Sequence, residues 1–386
     1  RVRASGAGGG AGVVAVAHVD LVVHARARAL AQAASAVLAG VLVARLRLSQ
    51  VRALLAAVRR LHGDGAGALL LATAAQAEFI SNIDNFHWTD GEGRKRFAQF
   101  YVPSKAKQAF AAGADIPLVM VLHGGNGRPG RARHVTGMDE FAERHGFLVV
   151  YPSAWSNPDY PRKDRKGRWL KARNRHWNDG RNDPTIPNQR DGVDDLPFIR
   201  ALVDEAEAQY GADRKRIYAM GLSNGGFLSI RIACTDGGLF RAIAPVISLV
   251  PKSVADDCVK AGPVSMVMIA GTEDPVIDFH ARKGRKRPVY WLSGRASIDL
   301  WRRKNGCPAR ASRQRELPDK LISDGSSAVM EDWQNCRSGA TLRFYRVVGG
   351  GHTLPGREPF SRPHLGTSNL DFDATAHIVR FFGLNR

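Results

Sequence analysis

The sequence predicts an α/β fold, a mostly parallel sheet with helices on both faces, and three observations carry that expectation. Several apolar runs are continuous rather than alternating, as strands buried on both faces require. Segments with helical periodicity separate them, which is the order that parallel sheets need. Most runs end in glycine or proline, the residues that punctuate strand and helix ends. With 386 residues, 44% of them hydrophobic, the chain is long enough for one large core covered on both sides.

In order along the chain, Phe97 to Val102 alternates like an edge strand, and Ile116 to Leu122 (IPLVMVL) is the first buried strand. Phe141 to His145 closes a short helix that Gly146 ends. Phe147 to Tyr151 (FLVVY) is a second buried strand, stopped by Pro152. The polar segment Ser153 to Arg190 is too long for a simple connection and reads as a substrate-side loop. Asp191 to Tyr210 is helical, with Leu196, Ile199, Leu202 and Val203 on one face. Further strands follow at Arg216 to Leu222, Phe240 to Ile247, Val264 to Ala270 and Leu342 to Val348. Helices are expected over Gly226 to Cys234, Ile298 to Lys304 and Asp373 to Phe382.

Residues 1–77 differ from the rest, being rich in Ala, Val, Leu, Gly and Arg, with only Asp20 and Asp64 as acids. Arg59 and Arg60 precede the apolar run Ala66 to Ala75 and then Ala75-Gln76-Ala77. Basic, apolar and small-residue regions in that order predict a secretory signal cleaved after Ala77, hence an extracellular or periplasmic product. An amphipathic or disordered leader, or a misplaced start before Val51, are the alternatives. The uncharged stretch Ala29 to Ala44 is shorter than the roughly 20 apolar residues of a membrane span, so no stable span is expected. Residues 78–386 are then one catalytic domain.

The formal charge of +20 invites a nucleic-acid reading. No zinc-finger spacing, RNA-recognition signature or basic helix with interleaved aromatics accompanies it, so no nucleic-acid partner is expected. Cys234, Cys258, Cys307 and Cys336 form no CxxC pair and no histidine cluster has zinc-ligand spacing, so neither a metal nor a cofactor is expected. In an exported protein the simplest reading is two disulfides between sequence neighbours, Cys234 with Cys258 and Cys307 with Cys336. In a reducing compartment they would be four buried thiols.

The chemistry centres on Gly221-Leu222-Ser223-Asn224-Gly225-Gly226. A G-x-S-x-G set between a buried strand and a helix is a nucleophile elbow, in which small neighbours let the serine hydroxyl stand clear of the sheet. That motif turns the fold expectation into the α/β-hydrolase fold, with Ser223 as nucleophile. Partners then follow in the order acid, histidine. Among His280, His352, His364 and His377, His352 stands in the glycine-rich Gly349-Gly350-Gly351-His352-Thr353 just past a strand, and is the expected base. Asp274, in Gly271-Thr272-Glu273-Asp274-Pro275 after the run ending at Ala270, is the expected acid, with Glu273 and Asp278 as local competitors. An oxyanion hole is expected from the backbone amides of Asn224 and of Gly125, the latter in Leu122-His123-Gly124-Gly125-Asn126-Gly127, with His123 structural.

From about Phe97 onward these motifs, with Ala242-Ile243-Ala244-Pro245-Val246 and Pro355-Gly356, resemble the polyhydroxybutyrate-depolymerase-type esterases, a group related to feruloyl and acetylxylan esterases. The resemblance implies a secreted serine esterase that cleaves hydroxyalkanoate polyester or its oligomers through an acyl-enzyme. The alternative it leaves open is a plant-wall feruloyl or acetylxylan ester. A serine peptidase, an acyltransferase and a non-catalytic binding protein are further rivals. Ala270 stands where the family often has His, and Leu354 where it commonly has Trp, so Leu354 is expected to border the cleft. Trp155, Trp177 and Tyr290 are candidates for an aromatic wall, with Trp177 the foremost, and core packing is the equal alternative for each. Two basic loops, residues 162–171 and 282–287, would attract an anionic polymer if they are more than solvated surface.

Overall fold

A computed structural model describes residues 82–156, 162–163, 169–170, 174–282, 288–357 and 363–385. The expected leader 1–77 and most of both basic loops lie outside the described residues.

Strands β1 (Ile83–Thr89) and β2 (Lys95–Tyr101) come first, followed by helix α1 (Ser104–Ala111) and β3 (Ile116–Leu122). Helices α2 (Pro129–Thr136) and α3 (Met138–His145) lead to β4 (Leu148–Ser153). A short ribbon, β5 (Arg162–Lys163) and β6 (Trp169–Leu170), precedes α4 (Pro187–Arg190) and α5 (Leu196–Tyr210). Strand β7 (Ala212–Leu222) then feeds α6 (Asn224–Thr235), and β8 (Ala242–Val246) follows. After α7 (Ala255–Lys260) come β9 (Ser265–Gly271) and α8 (Gly294–Lys304). The chain continues through β10 (Arg313–Glu316), β11 (Ser327–Trp333), β12 (Leu342–Val348) and α9 (Ala374–Phe381).

Ten strands make one sheet in the order β1-β2-β4-β3-β7-β8-β9-β12-β11-β10. Its middle, from β4 to β12, is parallel, whereas β2–β4, β12–β11 and β11–β10 pair antiparallel. The parallel strands are the apolar runs of the sequence. Leu118 to Leu122, Leu148 to Tyr151 and Ile243 to Val246 are buried side by side along their length. Helices supply the covering layers: Phe198, Ile199, Leu202 and Val203 of α5 and Phe227, Leu228 and Ile230 of α6 are all in the core. This is the α/β-hydrolase architecture, in which loops at the C-terminal ends of the parallel strands gather at one rim.

Three expectations are corrected here. Phe97 to Val102 is not at the edge, because β1 lies outside β2. Pro152 does not stop β4: it pairs with Ala98 and the strand runs on to Ser153. The helix after the elbow begins at Asn224, not Gly226. Two disulfides, Cys234–Cys258 and Cys307–Cys336, tie α6 to α7 and the end of α8 to the turn after β11. No helix among the described residues is long and apolar enough to cross a membrane.

Candidate active site

Ser223 occupies the sharp turn between β7 and α6 with φ 51° and ψ −117°, a conformation that L side chains rarely adopt. Hydrogen bonds hold it there from several sides. Its N–H donates to Val246 O at 2.9 Å, while its carbonyl accepts from Gly226 N–H (2.8 Å), Phe227 N–H (3.0 Å) and Ser248 Oγ–H (2.8 Å). The flanking glycines are dictated by space. A Cβ on Gly221 would run into the Gly225 carbonyl, and one on Gly225 would meet the carbonyls of Leu122 and His123. The turn thus lifts the serine hydroxyl off the sheet at the N-terminus of α6.

His352 arrives on the loop after β12. Gly351 N–H donates to Thr367 O and His352 N–H to Leu365 O, at 2.8 and 2.6 Å, which fixes the loop against the segment before α9. Asp274 follows β9, and its Oδ1 accepts from the amides of Val276 and Ile277, each at 2.8 Å, so the Pro275 turn holds the carboxyl. The three side chains meet. His352 Nδ1 lies 2.7 Å from Asp274 Oδ2, and His352 Nε2 lies 3.0 Å from Ser223 Oγ. An ionised carboxylate only accepts, so Nδ1 carries the proton and Nε2 is left to accept from the serine hydroxyl. Asp274 is buried and the His352 side chain is 9% exposed, so the chain of contacts is largely shielded from water. The competing residues stand elsewhere: Glu273 and His280 are exposed, Asp278 pairs with Arg282 at 2.9 Å, and His377 Nδ1 lies 2.8 Å from the Tyr345 hydroxyl.

The loop after β3 closes over the same point. A Cβ on Gly124 would lie 3.4 Å from Ser223 Cβ. The next amides in line are engaged, Asn126 N–H with Arg175 O (2.8 Å) and Gly127 N–H with Gly124 O (2.9 Å). Among the described residues the Gly125 amide has no acceptor. His123 pins this loop to the end of β4: its Nε2 accepts from Ala154 N–H at 3.0 Å and its Nδ1 lies 2.7 Å from Gly124 O. Burial pushes its pKa down to about 4, so the ring is neutral at physiological pH. His176 stands against Gly125, its Nε2 2.7 Å from where a Cβ there would be, and burial lowers its pKa too.

Sequence reasoning missed how the segment from Arg175 to Arg190 is held. The Asn224 side chain accepts from Trp177 N–H (2.7 Å) and donates to Trp177 O (3.1 Å) and to the buried Asp179 carboxylate. The neighbouring Asn178 N–H donates to Asp195 (2.8 Å), itself paired at 2.6 Å with Arg96 in a fully buried ion pair. Polar residues in a Trp-Asn-Asp-Gly run next to a Ser-Asn elbow were the available signal. Trp177 therefore does not line a cleft. It is fully buried, and its indole N–H donates to His123 O at 2.9 Å beneath the loop. Leu354 is 5% exposed and offers substrate little surface. Tyr290 and Trp155 are half-buried. Among the described residues no group of three or more His, Cys, Asp or Glu could hold a metal ion.

With this geometry in place the relatives can be set beside it. No protein-family profile matches the chain. NocK of Nocardia uniformis subsp. tsuyamanensis, a supposed esterase, is 27% identical over 279 residues, 69% of this chain and 73% of its own length. Feruloyl esterase B of Piromyces equi is 27% identical over 165 residues, 42% of this chain and 29% of its own. Poly(3-hydroxyalkanoate) depolymerase C of Paucimonas lemoignei is 25% identical over 299 residues, 70% of this chain and 64% of its own. The chain thus spans less than two thirds of the last two relatives.

Fold, site and relatives together define a class: the chain is a serine hydrolase of the α/β-hydrolase type, a carboxylic ester hydrolase. Within that class its relatives come from the group that the sequence motifs resemble, which holds both depolymerase-type and feruloyl esterases.

Proposed function

We propose that Ser223 attacks an ester carbonyl, His352 takes and returns the proton, and Asp274 holds the imidazole in the tautomer that can do so. The observation that supports this most is the unbroken contact from Asp274 Oδ2 through His352 to Ser223 Oγ, at 2.7 and 3.0 Å. As Oγ bonds to the carbonyl carbon, its proton passes to Nε2 and the carbonyl oxygen becomes an oxyanion. The Asn224 and Gly125 amides are the donors assigned to that charge, and each such donor is typically worth about 100- to 1,000-fold in rate. The alcohol leaves with the proton from Nε2, and water then repeats the sequence on the acyl-enzyme. No cofactor or metal enters any step.

The substrate we assign is a hydroxyalkanoate polyester or its oligomers, a reading supported by the likeness to poly(3-hydroxyalkanoate) depolymerase C over 70% of this chain. A second reading, a feruloyl or related plant-wall ester, is favoured by the likeness to feruloyl esterase B. The domain is residues 78–386, and the product is exported. Two disulfides support that location, since they persist in oxidising compartments.

The test is hydrolysis of a 3-hydroxybutyrate oligomer beside methyl ferulate, with Ser223→Ala as the blank. Preference for the oligomer supports the first substrate and preference for ferulate the second. Activity retained in Ser223→Ala would remove the assigned nucleophile.

A further inference from the structure

We propose that the cavity beside the oxyanion loop is a subsite for a carboxylate carried by the ester substrate, so that the enzyme acts on the charged ends of oligomers. This rests on the ester-hydrolase reading above and narrows its substrate. The cavity is an open cleft of about 820 Å³ between β2, the end of β4, residues 128–130 and Arg175. That is room for several monomer units of a small ester.

Its wall is charged in one sense. Among the described residues, Arg94, Lys95, Arg96, Arg128 and Arg175 line it against one carboxylate, Glu92. Two of the five cations are already matched: Arg94 pairs with Asp90 and Glu92, both at 2.6 Å, and Arg96 pairs with Asp195. Lys95, Arg128 and Arg175 have no acidic partner among the described residues. The Arg96 side chain is fully buried, with its guanidinium 4.5 Å from the Phe198 ring centre, so Lys95, Arg128 and Arg175 are the cations a ligand can meet. Clustered cations repel one another, and an anion placed among them relieves that repulsion. Guanidinium groups suit a carboxylate in particular, because their planar donor pairs match its two oxygens. Half-buried Trp155, with the Arg94 guanidinium 5.7 Å from its ring centre, adds an apolar surface for the hydrocarbon part of such a ligand.

The cavity is joined to the reacting point by the loop itself. Gly124 packs against Ser223, and Arg128 lies four residues further along the same loop. Arg175 holds that loop through its carbonyl bond to Asn126 N–H, and its neighbour His176 packs on Gly125. In this proposal an ester whose carbonyl sits at Ser223 extends along that loop, and the end of its chain meets the cations. The interior of a polyester carries no charge, whereas each oligomer ends in one carboxylate. The subsite thus selects chain ends and short products over the polymer surface.

The experiment uses the full chain and two matched substrate pairs. The first is the 3-hydroxybutyrate trimer as free acid and as methyl ester, with cleavage of the internal ester bonds followed by chromatography. The second is an acetylated xylo-oligosaccharide with and without a glucuronate branch. At low salt the acid member of a pair is expected to show a kcat/KM about tenfold or more above its neutral partner, as charge-assisted hydrogen bonds allow. Salt should shrink that ratio. Arg128→Gln and Arg175→Gln should each pull it towards one, while Arg128→Lys keeps part of it. Which pair shows the effect identifies whether the carboxylate belongs to an oligomer end or to a uronic acid. Equal rates within both pairs, or a ratio unchanged in both Gln variants, would overturn the subsite. Failure of the underlying reading has a different signature: none of the four esters is cleaved above the Ser223→Ala blank, and the subsite falls with it.

Discussion

Replacing Ser223 separates the chemistry of the elbow from its backbone. Ser223→Ala and Ser223→Gly both delete Oγ and its contact with His352, so both should be inactive. They differ in what they do to the turn. At φ 51° and ψ −117° any side chain with a Cβ is strained, at a cost of about 1–3 kcal/mol, and alanine keeps that cost. Glycine enters the conformation freely but loses about 0.5–1 kcal/mol more backbone entropy on folding. The net expectation is that Ser223→Gly is more stable than Ser223→Ala by about 1 kcal/mol. Strain can persist here because Val246, Gly226, Phe227 and Ser248 all hydrogen-bond the Ser223 backbone. Urea unfolding of both variants at neutral pH measures the difference as a shifted midpoint at unchanged slope. A Ser223→Gly variant no more stable than Ser223→Ala would refute the claim that the nucleophile is held in a strained turn.

Three further outcomes are expected. Asn224→Ala leaves the Trp177 N–H and C=O without their partner and removes one donor from the Asp179 carboxylate, which keeps Arg181 and Gln189, so it should destabilise by about 2 kcal/mol or more. Ester hydrolysis should fall with it, and an Asn224→Ala protein of wild-type stability in urea would contradict the clamp. His123, with a pKa lowered from 6.5 to about 4, binds its proton more weakly folded than unfolded. Its contribution is therefore complete above pH 6.5, declines as pH falls and is gone below about pH 4, a loss of about 3 kcal/mol. His123→Gln should flatten that part of the stability–pH curve, and a curve of unchanged slope would rule out this source. Replacing either disulfide pair with serine should cost about 3–4 kcal/mol, since each closes a loop of 24 or 29 residues, and thermal unfolding of the two double variants reads it directly.

Much of the sheet was legible because its central strands are buried on both faces, and a strand with no wet face must be written in continuous apolar residues. Ile116 to Leu122 has the bounds that pattern predicts, and Leu342 to Val348 has the bounds predicted from its alternation. The outer antiparallel strands β1, β10 and β11 were not legible for the same reason. Strand β10 is Arg-Gln-Arg-Glu and exposed throughout, and β1 is largely wet, so neither carries an apolar signature. Strand β11 hides its buried character behind Glu331 and Asp332, whose charges are met by Arg295 and Arg343.

At the site, the order Ser, Asp, His and the glycines around each were readable, because a strained turn and a loop over a sheet rim demand small residues at fixed places. Trp177 was misplaced as a cleft wall, since its neighbours Asn178 and Asp179 look like solvent-facing residues. They are bonded instead to Asp195 and Asn224, which lets the indole sink beneath the loop. Pairings between distant polar groups leave no local period in a sequence, and so neither the Asn224 clamp nor the Arg96–Asp195 pair could be read from it.

The most direct test of the central claim is covalent trapping with a fluorophosphonate, followed by peptide mass spectrometry of the full chain. The account predicts a single adduct on Ser223, absent from Ser223→Ala and formed far more slowly in His352→Ala. An adduct on another residue, or an equal rate of labelling in His352→Ala, would contradict it.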